Sequence, residues 1–153
     1  MPDQKQVLLR YLQSKRLMQL ATANKNPWIC TIYYTIDEEF NIYFLSNQKT
    51  KHCQDILKNP NVACAITDSH QKVLDDKIGV QIEGTAIQVQ DQKEIKKAVN
   101  LWNQANPGVA KILSFSAIFL KLRKERVFKV QPTKIKFFNE ALFGAKESKT
   151  ITI

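Results

Sequence analysis

Residues Tyr43 to Pro60 read YFLSNQKTKHCQDILKNP. The apolar run from Ile42 to Leu45 has the composition of a strand and stops at Ser46, where a polar turn begins. From Thr50 the pattern changes. Cys53, Ile56 and Leu57 recur at helical spacing, and Asn59-Pro60 ends the element. A strand that hands over to a helix start bearing a hydroxyl, a lysine and a histidine (Thr50, Lys51 and His52) forms a candidate anion site. The first N–H groups of a helix lack intrahelical partners, the helix dipole is positive at that end, and the side chains add donors and charge. The same residues also read as ordinary capping, with Thr50 as a plain N-cap and Lys51 as a solvated first-turn residue. Spacing alone leaves both readings open.

Working outward, Val7, Leu8, Tyr11 and Leu12 predict an amphipathic first helix over Asp3–Arg16. Leu17–Ala23 reads as a strand ended by the turn Asn24-Lys25-Asn26-Pro27, and Trp28–Ile36, rich in β-branched and aromatic residues, as the next. Asp37-Glu38-Glu39 turns the chain back into Asn41–Leu45. Beyond the helix, Asn61–Thr67 is a fourth strand, Ser69–Lys77 a polar loop, and Ile78–Gln90 a long fifth strand with Gly84 as a bulge or bend. Asp91-Gln92-Lys93-Glu94 has capping-box spacing and opens a helix with Ile95, Val99 and Trp102 on its apolar face. Pro107 suits the first position of a short helix over Pro107–Leu113. Phe115–Lys124 fits helix or strand, while Val127–Gln131 and Lys134–Phe138 read as closing strands. Strands dominate and helices sit at the edges, which predicts an antiparallel barrel flanked by helices.

The order of strand, Ser46, Thr50-Lys51-His52, helix, Asn59-Pro60, Val62–Ile66 and the GVQIEGTA strand (Gly79–Ala86) resembles the flavin-binding split β-barrel family typified by pyridoxamine 5′-phosphate oxidase. Within it, the chain most resembles a small bacterial subfamily. That subfamily shares the T-[KR]-H trio, the G-V-Q strand start and a late I-K-F…F-G-x-K segment, here Ile135-Lys136-Phe137 and Phe143-Gly144-Ala145-Lys146. The resemblance implies a mostly β fold, a six-stranded antiparallel split barrel of Greek-key type with flanking helices. It also implies a homodimer with FMN at the subunit interface.

Residue by residue, the resemblance implies cofactor contacts at the strand end, at Leu45 and at Ser46, which falls on the family's strand-end hydroxyl. Thr50, Lys51 and His52 fall on its phosphate-binding trio, whose last position is more often lysine. The Trp28–Thr35 strand falls on the one that runs alongside the isoalloxazine. This implies backbone contacts at Cys30, Thr31, Ile32 and Tyr33, with Tyr34 adjacent; on the residues alone these positions simply alternate between core and surface. The family's flavin-contacting glutamine, counted back from Gly84, falls on Gly79 and not on Gln81. The tryptophan- and arginine-rich C-terminal signature of the oxidases is missing, since Trp28 and Trp102 lie elsewhere. The resemblance therefore implies a flavin-dependent oxidoreductase of unknown substrate that does not recognise pyridoxamine phosphate. No side chain is assigned a catalytic role, because the isoalloxazine carries the hydride chemistry. The alternative is a flavin, haem or deazaflavin binder without turnover. In the haem case His52 is the candidate ligand, because His70 sits in a polar loop.

The 153 residues are enough for one domain, 1–153, with a core of its own. With 44% hydrophobic and 24% charged residues, the chain reads as globular and not disordered. No apolar run approaches a membrane span, and MPDQKQVLLRYLQSKR lacks the apolar centre of a signal peptide. The three cysteines, Cys30, Cys53 and Cys64, form no CxxC pair and no zinc spacing, which points to a reducing cytoplasm and to no metal site. Cys30, in an apolar strand, reads as a small buried residue and not as a redox thiol. The net charge of +9 comes from 23 basic against 14 acidic side chains, with a dense stretch at Lys121-Leu122-Arg123-Lys124-Glu125-Arg126. Such an excess attracts anionic ligands or nucleic acid. No recognisable nucleic-acid module accompanies it, so the charge reads first as a solvated lysine-rich surface, with a basic nucleic-acid-binding module as the rival reading that only the charge supports.

Overall fold

A computed structural model describes residues 3–108, 114–119, 121 and 123–153. The elements run α1 (Gln4–Ser14), β1 (Leu17–Asn24), β2 (Asn26–Tyr33), β3 (Thr35–Ile36), β4 (Ile42–Asn47), α2 (Lys51–Lys58), β5 (Asn61–Thr67), β6 (Ile78–Gln88), α3 (Gln92–Ala105), α4 (Phe115–Phe119), β7 (Glu125–Asn139), α5 (Glu140–Phe143) and β8 (Ser148–Ile151). All ladders are antiparallel, in the order β2-β1-β5-β6-β7-β4-β3, with β8 added on β7. The two ends of that order, β2 and β3, are joined through the single residue Tyr34. The sheet must therefore curl round on itself into a split barrel. The chain leaves β4 on one side of the barrel and re-enters as β5 on the other, with α2 making the crossing.

Eight strands stand among the described residues where the resemblance implies six and the sequence pattern reads as seven: one of the seven is split, two are merged, and β8 is not foreseen by that pattern. The Trp28–Ile36 strand is broken at Tyr34, whose N–H donates to the carbonyl of Arg16 and whose hydroxyl donates to that of Leu12. The two expected closing strands are one, β7, with Pro132 inside it. Proline has no N–H for a ladder, and here it lies opposite Gly84, where the register shifts. Thr133 is the extra residue, and its hydroxyl donates to the carbonyl of Glu83. A Cβ on Gly84 would stand 2.4 Å from the carbonyl oxygen of Gln131, so the close approach of β7 requires glycine here. The expected turn at Asn24–Pro27 narrows to Lys25 alone, at φ 65°, with Asn24 paired to Asn26. The helix expected over Pro107–Leu113 falls largely outside the described residues. Phe115–Lys124, which fitted either class, begins as helix.

Inside the barrel, Met18, Leu20, Ile42, Phe44, Ile66, Val80, Phe128, Ile135 and Phe137 are buried together with Leu8 and Leu12 of α1. Phe44 and Phe128 stack with ring centroids 5.2 Å apart. Each such side chain contributes roughly 1.5–3 kcal/mol by leaving water. α1 starts on Asp3, whose carboxylate accepts from the N–H of Lys5. α3 covers the outer side of β4 and β7, where Ile95, Ala98 and Val99 meet Tyr43, Val89 and Val127. Its start is the expected cap, with Asp91 accepting from the N–H of Glu94.

Ion pairs fasten α3 to the β3–β4 turn. Asp37, read from sequence as a turn residue, is buried, and its carboxylate gathers the N–H groups of Glu39 (3.0 Å) and Asn41 (2.8 Å), the Asn41 amide (2.8 Å) and the Lys97 ammonium (2.7 Å). The Tyr43 hydroxyl stands 3.3 Å from Asp37 and 3.1 Å from Glu94, so its single proton serves one carboxylate at a time. Lys129 donates to Glu94 at 2.7 Å.

Candidate functional site

β4 ends at Asn47 and α2 begins at Lys51, and the turn between them folds three side chains together. The Ser46 hydroxyl is 2.7 Å from Nε2 of His52 and 3.4 Å from the Thr50 hydroxyl, which is itself 3.2 Å from the same nitrogen. Ser46 is buried because it shares the inner face of β4 with Ile42 and Phe44. His52 is half-buried, its ring tilted against Phe44 at 6.3 Å. Burial pulls the imidazole below its ordinary range, against an opposing pull from Asp55, so it is neutral at neutral pH. Thr50 occupies the N-cap position without capping. Its hydroxyl donates to the carbonyl of Asn47 at 2.8 Å, and no side chain of the cap closes the helix start. The first turn of α2 therefore faces a cluster of hydroxyls and imidazole with its N–H groups free of a side-chain cap.

Lys51 takes a different direction. Its ammonium donates to both oxygens of Asp55, at 2.9 and 3.1 Å, and stands 5.6 Å from the centroid of Trp28 on β2. Asp55 is 4% exposed, whereas Lys51 is 46% exposed. The Thr22 hydroxyl of β1 also donates to Asp55, at 3.0 Å. The Lys51 hydrogen bond holds the Asp55 carboxyl below the usual carboxylate range; burial opposes this and Thr22 adds to it. Of the expected phosphate residues, then, Ser46, Thr50 and His52 converge, while the charge of Lys51 is shared with a carboxylate one turn along its own helix. Leu45 turns to the other face of β4 and packs against the α3 cluster, so only its backbone borders the trio.

The strand expected beside a ring is an edge. Among the described residues β2 pairs with β1 alone. Ile32 and Cys30 face the core, whereas Thr31 and Tyr33 point outward. Burial raises the Cys30 thiol above its ordinary range, and the neighbouring Cys53 adds to this, which suits a packing role; all three cysteines are free. Gln81 lies exposed on the outer face, paired with Ala65 and Lys136. At Gly79 a Cβ would stand 2.5 Å from the tip of the Phe138 ring and 2.6 Å from the Thr67 methyl, so Phe138 fills the space a glutamine side chain would need. The Phe143–Lys146 segment serves the fold. Phe143 meets Phe137 edge-on at 5.6 Å, and Glu140 accepts from the N–H groups of Lys77 and Lys146.

One basic residue near the site escapes a reading of local sequence. Arg126 of β7 is the cross-strand partner of Ser46, so the two side chains leave the sheet on the same face. In the sequence it belongs to a lysine- and arginine-rich run 80 positions further along, and only the β4–β7 register connects the two. His70 is exposed and bonded to Asp68, remote in role from His52. Among the described residues no group of His, Cys, Asp or Glu is arranged to hold a metal ion, and no helix is long and apolar enough to cross a membrane.

A curled antiparallel sheet with a crossing helix at the end of β4 defines the split-barrel class. The family model described as pyridoxamine 5′-phosphate oxidase matches residues 5–139, and the chain belongs to that family. No curated protein matches it. Among solved structures it is similar to a haem-binding protein from Mycobacterium smegmatis, with a TM-score of 0.76 and 14% identity, over 99% of this chain and 59% of that one. It is similar to the haem storage protein of Vibrio cholerae, with a TM-score of 0.69 and 14% identity, over 88% and 93% of the two chains. A NimC/NimA family protein from Clostridium acetobutylicum is similar at a TM-score of 0.67 and 15% identity, over 97% and 92%. At such identities the likeness is one of fold.

Proposed function

We propose that this protein binds FMN at the β4–α2 turn as a homodimer, and that it works in the cytoplasm as a flavin-dependent oxidoreductase on a substrate other than pyridoxamine 5′-phosphate. The convergence of Ser46, Thr50 and His52 on the uncapped start of α2 carries this reading. First-turn N–H groups and the Ser46 hydroxyl, which is free to donate when His52 Nε2–H donates to it, are donors a phosphate monoester needs; the Thr50 proton must leave the Asn47 carbonyl to join them, and the dipole of α2 favours the anionic charge. Lys51 adds positive potential one residue away, moderated by Asp55. The edge of β2 at Thr31, Ile32 and Tyr33 would offer N–H and C=O groups to the ring. Bound there, the flavin supplies hydride and single-electron chemistry; the chain binds it, orients it and shields one side from water.

The dimer part of the reading rests on the outer face of β1 and β2. Leu17 and Tyr33 are cross-strand partners, 42% and 55% exposed, and Ile29 on the same face is 63% exposed. Large apolar side chains grouped in this way favour a partner surface, and a second copy would cover the β2 edge as well. The exclusion of pyridoxamine phosphate rests on a C-terminal segment that folds onto Phe137 and Glu140 and holds no tryptophan–arginine clasp.

A second reading has its own support. Burial keeps His52 neutral, the state in which an imidazole nitrogen ligates iron, and two of the similar structures are described as haem proteins. Equilibrating apoprotein separately with FMN and with haemin, followed by size-exclusion chromatography with absorbance and light-scattering detection, tests both. The expected result is flavin absorbance travelling with a particle of twice 17.6 kDa. A Soret band with no retained flavin would move the assignment to haem, and a 17.6 kDa particle in the presence of cofactor would remove the dimer.

A further inference from the structure

Beside the β4–α2 turn, on its β7 side, lies an open concavity of about 210 Å³ lined by Asn47, Gln48, Lys49, Lys124 and Arg126. Three of its five lining residues are cationic and none is acidic. We propose that this concavity is a second anion subsite, distinct from the Ser46–Thr50–His52 cluster, and that it takes a phosphate or diphosphate group.

Each basic residue is presented differently. Arg126 is half-buried and fixed, since one guanidinium nitrogen donates to the carbonyls of Arg123 (2.6 Å) and Glu125 (2.7 Å). Those bonds leave the rest of the fork available for an oxyanion. Glu125 next to it is bonded by Arg123 at 3.1 and 3.2 Å and also feels the Arg126 charge, so it compensates the guanidinium only in part. The Lys49 and Lys124 ammonium groups have no hydrogen-bond or ion-pair partner among the described residues. This contrasts with Lys51, Lys97 and Lys129, each of which is paired to a carboxylate. Gln48 is held toward β6 by its amide, which donates to Gln88 at 2.7 Å, so the turn that forms one wall is anchored.

Two uncompensated ammonium groups and a pinned guanidinium around one concavity repel one another, and a tetrahedral dianion relieves that repulsion while accepting hydrogen bonds from all three. The turn residues Asn47 to Lys49 line this concavity, and the next residue, Thr50, belongs to the hydroxyl–imidazole cluster. One ligand with two phosphates could therefore span both, or two phosphorylated ligands could sit side by side.

The test uses pyrophosphate and the full-length protein freed of any cofactor, at low ionic strength, by isothermal titration calorimetry. Wild type is expected to bind pyrophosphate saturably. Lys49→Ala and Lys124→Ala, both exposed positions with no structural bonds to lose, should each weaken it by about tenfold, as loss of one charge-assisted hydrogen bond does. Lys149→Ala, an exposed lysine on β8, should leave it unchanged. Equal affinity in Lys124→Ala and Lys149→Ala, or no saturable binding in wild type, would overturn the subsite. A further arm compares FMN with FAD. A preference for FAD that disappears in Lys124→Ala assigns the subsite to a second phosphate of the cofactor. Undiminished pyrophosphate binding to FMN-loaded protein assigns it to a separate phosphorylated ligand. Because the calorimetric arm contains no flavin, failure of the FMN reading would leave its result intact.

Discussion

Replacing Asp37 with alanine is expected to lower the unfolding free energy by about 2–4 kcal/mol, because the N–H groups of Glu39 and Asn41 and the Lys97 ammonium lose their shared acceptor at one buried point. For a chain of this length that is a fall in melting temperature of roughly 10 °C. Lys97, 45% exposed, can turn into water when its partner is removed, which keeps the figure below that of a fully buried broken pair. The pH dependence provides an independent check. Burial raises the Asp37 carboxyl, but the Lys97 and Asn41 hydrogen bonds together outweigh it and hold the group below its ordinary 3.8. A carboxyl depressed in the folded state contributes its full stabilisation above the unfolded value and loses it as pH falls through the folded one. Wild type should thus exceed Asp37→Ala by a constant margin from about pH 5 upward, and the margin should shrink below about pH 4. Urea melts at pH 7 and pH 3 would show this, and equal midpoints at pH 7 would mean that the network contributes nothing net.

Asp37 also illustrates what local sequence can and cannot carry. Its place in a turn was legible, since Asp37-Glu38-Glu39 follows a β-rich run, and strand β5 was legible to the residue. Those features depend on neighbours in the chain. That Asp37 would be buried under α3 depends on Lys97, 60 positions away, and acidic residues in turns are ordinarily solvated. The break at Tyr34 was invisible for a similar reason: the Trp28–Ile36 composition is uniformly strand-like, and the interruption comes from a bond to Arg16 across the α1–β1 junction. Pro132 misled in the other direction, dividing one strand into two, because the bulge that tolerates it requires Gly84 opposite.

At the candidate site, the local order of hydroxyl, basic residue and histidine was readable, and Ser46, Thr50 and His52 do meet. The direction taken by Lys51 was not. A lysine in the first turn of a helix with an aspartate four residues on has a local partner available. Whether the pair forms over β1 depends on Thr22 and Trp28, which the strand pairing brings beneath the helix.

That arrangement fixes the order of effects expected in FMN binding. His52→Ala removes the imidazole that, by donating to Ser46, leaves the Ser46 hydroxyl free to donate to a phosphate dianion at the helix start. Hydrogen bonds to charged groups contribute about 1.5–3 kcal/mol, so FMN affinity should fall roughly 10- to 150-fold. Thr50→Ala should cost less, because the N–H groups of the first turn and the helix dipole remain. Lys51→Ala should also cost FMN less than His52→Ala does, since drawing the ammonium to phosphate means giving up Asp55. Its larger consequence should be a lower melting temperature, as the buried Asp55 carboxylate loses its counter-ion. Riboflavin carries the same ring without the phosphate, so it should bind weakly and indifferently to all three substitutions. Lys149→Ala, remote on β8, serves as the control for diffuse charge, which salt screens over about 10 Å. Fluorescence titration of FMN and riboflavin into the apo forms of the five proteins reads the whole series. FMN affinity unchanged in His52→Ala would remove the trio from phosphate binding. A loss in Lys51→Ala larger than that in His52→Ala would mean that the ammonium leaves Asp55 for the ligand, and would place the phosphate over β1 and not beside Ser46.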